Sequence, residues 1–357
     1  IGKAIYDTSK IENISNIHLL GLKQYKELSD YAKFFDVATI PFVINEKMDC
    51  VSPIKFYEYC AMGLPVVTSK MKEMEKESCE FVACANGIDE YLFYLDRFTQ
   101  DEIKKLASER AGKIAERNTW LARAKNIEYH MENSFTVLLA KNYDKFDVII
   151  LAVIDYDFRF QRPQHFASRF AANGHRVFYV NANHFKPDEI SEIECNLFVV
   201  NIHNEKDSAI HLTDWNDQLS NLYDKLSSVI NRYCVRDAVI IVDYPNWVYA
   251  AEYLRKNYGF KIIMDFMDDY TGFINPTEKL VEKNCEHLLE TSDEIVASSQ
   301  FLKQIAEKYQ SKVLIVRNGT EFEHFYKAFK KVENARKIIG YYGAVAEWFE
   351  CDVVLHL

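Results

Sequence analysis

The 357-residue chain lacks most of the signatures that decide a protein's chemistry at sight. It has no Cys-x-x-Cys pair: its eight cysteines stand scattered at 50, 60, 79, 84, 195, 234, 285 and 351, with no histidine at ligand spacing. That scatter argues against a zinc site or a disulfide framework and points to buried free thiols in a reducing compartment. No run of uncharged apolar residues is long enough to span a bilayer, and no charged-then-apolar leader is visible. The expectation is a soluble, cytoplasmic protein, with the inner face of the cell membrane as an alternative station. Excess positive charge is missing as well, and the net charge of −10 argues against nucleic acid as the main partner. No Gly-x-Gly-x-x-Gly follows an opening strand, and Gly-Tyr-Tyr-Gly at 340–343 has the wrong spacing. A dinucleotide-dependent oxidoreductase is therefore the weakest functional class.

What the chain does have is enough apolar material, 48% hydrophobic with 14% aromatic, to bury two α/β domains. Its most informative stretch is 49–68, where a turn, a short helix, a glycine stop and a buried strand follow with little slack. Ser52 is the expected N-cap and Pro53 the first helical residue, so free N–H groups and the positive end of the helix dipole point outward, as a diphosphate site requires. Lys55 lies one turn in, and Glu58 follows on the same face, placing a cation near phosphate and a carboxylate near vicinal hydroxyls. Gly63 ends the helix before the strand at 65–67. The plainer reading is a capped helix carrying a solvated Lys–Glu pair.

Around this stretch the pattern predicts a strand at 16–21, an amphipathic helix at 25–35 and a buried strand at 36–42. A second domain opens near Phe146 with the continuous apolar strand 147–154, a polar loop to Gln161, and a helix led by Arg162-Pro163-Gln164-His165. Gly174 stops that helix before the strand 176–180, giving a β-α-β unit. Further strands are expected at 237–243, 261–265, 294–297 and 313–316, with helices at 282–289 and 301–309.

The Ser52-Pro53-x-Lys55-x-x-Glu58 helix, placed last after the elements at 16–21, 25–35 and 36–42, resembles the nucleotide-binding C-terminal domain of GT-B glycosyltransferases, the retaining kind that assemble bacterial surface polysaccharides. The loop 161–164, the segment Met264-Asp265-Phe266-Met267-Asp268-Asp269 and the segment 318–325 resemble the acceptor-side N-terminal domain of the same family. The 338–348 segment, with its Gly343 turn, is similar to the first strand and glycine turn of a C-terminal domain. The expected fold is α/β, two Rossmann-like doubly wound parallel-sheet domains. The pieces run as 1–134, a nucleotide-sugar domain lacking its first strand and helix; a linker at 135–145; 146–337, the acceptor-side domain; and 338–357, the opening of another C-terminal-type domain. Two accounts fit that order: a window on a tandem enzyme, which the sequence favours, or a circular permutant.

The resemblance implies sugar transfer from a nucleotide-sugar donor to a glycan or lipid-linked acceptor, with no cofactor and no metal. It implies Lys55 and Asp49 in catalysis and Ser52, Pro53, Glu58, Gly63 and Gly343 in donor binding. Arg162, His165 and Asp268 are implied as acceptor or phosphate contacts, against capping readings for the same residues. One departure stands out: relatives carry Glu-x7-Glu, and the first position falls on Cys50, beside Asp49. That departure keeps a non-catalytic nucleotide-sugar or glycan-binding module in view. Basic residues between 104 and 124 could touch an anionic membrane, against an ordinary exposed helix.

Overall fold

The computed structural model describes residues 1–134, 145–204, 209–211, 219–270, 278–329, 332 and 334–356. They form two compact units, one made of Ile1–Arg123 with Asn318–Leu357 and the other of Ala124–Arg317. The expected linker, apart from Lys145, lies outside the described residues.

In the first unit, β1 (Val37–Ile40), β2 (Val66–Ser69) and β3 (Val82–Ala85) form a parallel sheet that β12 (Ile339–Gly340) completes on the β1 side. Val37 pairs with Ile339 and Ala38 with Gly340. Strands β1 and β2 are buried throughout, as apolar runs in a parallel sheet should be. Gly340 is required by packing, because a Cβ there would lie 2.1 Å from the Phe35 ring. Phe325, Tyr342 and Val353 share one core with Phe56, Tyr59 and Val66.

Beyond β12 the order continues without regular strands. Residues 1–5 run parallel to 341–345 through Gly343 N to Ile1 O (2.7 Å), Val345 N to Lys3 O (3.1 Å) and Ile5 N to Val345 O (2.9 Å). Gly2 N then bonds Gly21 O at 2.9 Å. Read across, the segments are 21, 1–5, β12, β1, β2 and β3, which is the doubly wound order 3-2-1-4-5-6 delivered in a different chain sequence. The strand expected at 16–21 is reduced to that one bond, and Leu19, Leu20 and Leu22 are exposed. The helix expected at 25–35 is a 3-10 turn, Tyr25–Glu27, followed by Leu28–Ala32.

The second unit holds one sheet in the order β11, β10, β9, β8, β4, β5, β7, β6, comprising β4 (Asp147–Leu151), β5 (Val177–Val180), β6 (Glu189–Glu194), β7 (Leu197–Asn201), β8 (Ala238–Val242), β9 (Lys261–Phe266), β10 (Glu294–Ala297) and β11 (Val313–Ile315). All neighbours are parallel except β6 and β7. The chain winds from β4 to β5 and β7 on one side and returns through β8 on the other, so strand order reverses between β4 and β8. Strands β6 and β7 are additional to those expected. Their turn uses Asn196 at φ 65°, and the Glu-rich β6 occupies the exposed edge, where charge discourages further pairing. Helix Arg162–Ala172 starts at Gln161, whose N–H donates to Gln164 Oε1 (3.1 Å), a capping box.

The unit boundaries differ from those expected. Helix Trp120–Ser134 changes allegiance within itself: Arg123 Nε donates to Asn318 O (3.2 Å) in the first unit. Further along, Glu128 meets Asn173 Nδ2 (3.0 Å) and His175 Nε2 (3.1 Å) in the second. Residues from 318 onward belong with the first unit because Thr320 bridges Thr119 and Asn318 Nδ2 donates to Ser52 O (2.6 Å). No helix among the described residues is long and apolar enough to cross a membrane.

Candidate functional site

Open α/β sheets bind ligands beyond the carboxyl ends of their strands, where strand order reverses. In the first unit that point lies between β12 and β1. The chain leaving β1 and the chain leaving β12 are stitched together there. Phe42 bridges Phe349, Val43 N bonds Trp348 O (2.8 Å), and Glu350 N bonds Pro41 O (2.8 Å).

Helix Ile54–Ala61 faces this place. Pro53 occupies the N-cap with extended backbone (φ −71°, ψ 118°), and no side chain caps the helix, so the expected Ser52 cap is displaced by one residue. Ser52 is buried, and its carbonyl accepts from Asn318. At the far end Gly63 adopts φ 68°, Gly63 N bonds Cys60 O (3.0 Å), and Leu64 N bonds Tyr59 O (3.1 Å), the paired bonds of a glycine-ended helix. A Cβ at Gly63 would also sit 2.5 Å from the Phe329 ring, so the position serves backbone geometry and packing together.

Lys55 projects from the first turn between two aromatic rings, its Nζ 5.3 Å from the Phe42 centroid and 5.5 Å from that of Tyr341. Gly343, at φ 147°, lies against it: a Cβ there would be 2.3 Å from Lys55 Cε and 2.9 Å from Nζ. Among the described residues no hydrogen bond or ion pair holds the ammonium. Burial lowers its pKa, and the nearby Glu58 charge opposes that shift. The result is a half-buried amino group with no hydrogen bond or ion pair among the described residues at the point of strand reversal.

Glu58 is only 3% exposed, and Tyr342 donates its hydroxyl to Oε2 at 2.8 Å. Burial pushes the carboxyl up to about 7, against hydrogen bonds from Tyr342 and Tyr25 and the charge of Lys55. Asp49 faces elsewhere: its Oδ2 pairs with Lys72 Nζ (2.6 Å), and its Oδ1 accepts from Lys72 N (3.4 Å). The neighbouring Cys50 is buried. Lys55, Glu58 and Gly343 are thus brought together, Ser52 and Pro53 open their helix, and Asp49 and Gly63 are occupied by structural contacts. Phe42, Tyr341 and Tyr342 are additions to the residues expected here. The aromatic pair inside Gly-Tyr-Tyr-Gly is the sequence signal for the two tyrosines, and Phe42 has none of its own.

The second unit treats its reversal point differently. Arg162, expected to meet acceptor or phosphate, is buried and forks onto Asp265, with Nε to Oδ2 and Nη2 to Oδ1 both 2.7 Å. The guanidinium also lies 4.6 Å from the Phe166 ring. His165 is buried, edge-on to Phe160 at 4.6 Å. Asp268 is half-buried, its carboxyl pushed up to about 6 by burial and by Asp269. Asp243, expected only as the end of a strand, is 1% exposed, and neither carboxylate oxygen has a hydrogen-bond partner among the described residues. Burial and the nearby Asp265 charge raise its pKa, while Arg162 opposes.

The class defined by these features is an α/β protein of two units with mainly parallel sheets, each with a strand-order reversal, one of them carrying there a lysine with no hydrogen bond or ion pair among the described residues. A solved structure of sucrose-phosphate synthase from Thermosynechococcus elongatus is similar over 51% of this chain and 94% of its own length, at 14% identity and a TM-score of 0.39. A second structure of that enzyme is similar over 49% of this chain and 49% of its own, at 12% identity and a TM-score of 0.40, so this chain spans about half its length. Likenesses at this level carry no weight on activity. No family model and no curated protein matches the chain.

Proposed function

We propose that the chain binds a nucleotide sugar at the β12–β1 reversal and acts as a glycosyltransferase, passing the sugar to a glycan or lipid-linked acceptor in cell-surface polysaccharide synthesis. The observation that carries this reading is Lys55, whose ammonium has no hydrogen bond or ion pair among the described residues and is held between Phe42 and Tyr341 against Gly343, where any Cβ would collide with it. A diphosphate supplies the missing negative charge, and the opening turn of helix Ile54–Ala61 adds outward N–H groups. Glu58, through the narrow edge it leaves exposed, receives the ribose hydroxyls.

In the reaction, the bond from the sugar's anomeric carbon to the diphosphate oxygen breaks, and a bond to the acceptor oxygen forms. The acceptor oxygen attacks from the face the diphosphate leaves, so configuration is retained, and its proton passes to the departing phosphate oxygen, so no dedicated base is required. Lys55 and the helix terminus stabilise the charge that grows on the leaving group.

A second reading is a binding module without transfer. The pairing of both Asp49 oxygens with Lys72 favours it, because it occupies the carboxylate nearest the missing Glu-x7-Glu position. Calorimetric titration with UDP, GDP and dTDP tests the site: one nucleotide is expected to bind, and Glu58→Ala to weaken it without unfolding. Hydrolysis of the matching nucleotide sugar then supports the transferase, whereas tight binding without hydrolysis or transfer supports the module.

A further inference from the structure

Tyr342 lies one residue before the Gly343 turn and is 3% exposed. Its backbone N–H donates to the Tyr59 hydroxyl (3.1 Å), and its own hydroxyl donates to Glu58 Oε2 (2.8 Å). Its ring meets Tyr59 edge-on at 4.8 Å and stacks over Phe325 at 6.4 Å. The backbone N–H and the hydroxyl of this residue therefore both end on helix Ile54–Ala61, at positions 59 and 58, while the next residue packs against Lys55. The glycine turn and the helix are joined at this side chain across 284 residues of sequence.

We propose that Tyr342 is a positioning residue of the nucleotide site, orienting the Glu58 carboxylate toward the ribose and locking the Gly343 turn against Lys55. The inference rests on the reading of this site as a nucleotide-sugar site. Besides Tyr342, the titratable groups facing Glu58 are Lys55 and Tyr59 on its own helix and Tyr25 from the Tyr25–Glu27 turn. The Tyr342 hydroxyl is the group that holds the carboxylate in its charged form from the β12 side. Glu58, held by burial at about 7, is poised so that losing this bond matters at neutral pH.

The test is Tyr342→Phe, which keeps the ring contacts and removes only the hydroxyl. Carbon-13 titration of glutamate carboxyls, with Glu58 assigned through Glu58→Gln, is expected to move the Glu58 midpoint up by about one pH unit, the size of a hydrogen bond to a charged group. Nucleotide affinity is then expected to fall about fivefold at pH 7, shrinking to about twofold at pH 8 as the carboxylate is recovered. A purely structural tyrosine would give a deficit independent of pH, and that result, or an unmoved Glu58 midpoint, overturns the proposal. If neither protein binds any nucleotide, the functional reading fails, while the carboxyl titration still decides whether Tyr342 controls Glu58.

Discussion

The two units share a winding pattern and reverse strand order at one place each, yet they treat the basic side chain near that place differently. In the first unit Lys55 has no hydrogen bond or ion pair among the described residues, and the nearby carboxyl of Glu58 is engaged by a tyrosine. In the second Arg162 is locked into a bidentate pair with Asp265, beside Asp243, whose carboxyl burial favours in the neutral form. Topology says where a ligand can sit; the unpaired charge says which kind. An anion suits the first unit, and in the second the arginine near this point is already taken by Asp265.

The contrast is most easily broken by removing each cation in turn. Arg162→Met leaves Asp265 buried and uncompensated beside Asp243, so urea unfolding is expected to show a loss of about 3–5 kcal/mol. Arg162→Met combined with Asp265→Leu should recover most of that loss. Recovery would mark the pair as structural, and its failure would reopen a binding role for Arg162.

The next largest effect is in the pH dependence of stability. Glu58 has its carboxyl raised from 4.5 to about 7 in the folded chain, so folding takes up a proton between those values. The stabilisation is full below about pH 4.5 and is lost as pH rises through about 7, a swing on the order of 3 kcal/mol at most. Thermal unfolding between pH 5 and pH 8 should therefore show a decline that Glu58→Gln flattens. Equal slopes in the two proteins would remove Glu58 from the account.

Asp243→Asn should have the smallest effect, within about 1 kcal/mol at pH 7, because burial already favours the neutral acid and asparagine has nearly the same shape. A large destabilisation would mean that the carboxylate is charged and holds a partner.

Local signals made much of this legible in the sequence. The apolar runs behind β4, β8 and β10, the proline-opened helix at 54–61 and the Gly63 stop all depend on near neighbours. Lys55 and Glu58 followed from helical spacing. Partnerships across the fold did not: Arg162 meets Asp265 over 103 residues, and no local pattern distinguishes a ligand-seeking arginine from one with a distant aspartate. The boundary inside helix Trp120–Ser134 escaped for the same reason, since the helix is continuous and only its contacts change. The absent ladder at 16–21 shows the converse, an apolar pattern whose leucines remain exposed.

Lys55 is held ready for an anionic ligand, and titration of the chain and its Lys55→Met variant with UDP, GDP and dTDP is the decisive measurement. One nucleotide is expected to bind the parent chain, the variant to bind it about 10–100-fold more weakly, and unfolding stability to change by less than about 1 kcal/mol. Unchanged affinity in Lys55→Met, or a loss of stability as large as that expected for Arg162→Met, would contradict this role for Lys55.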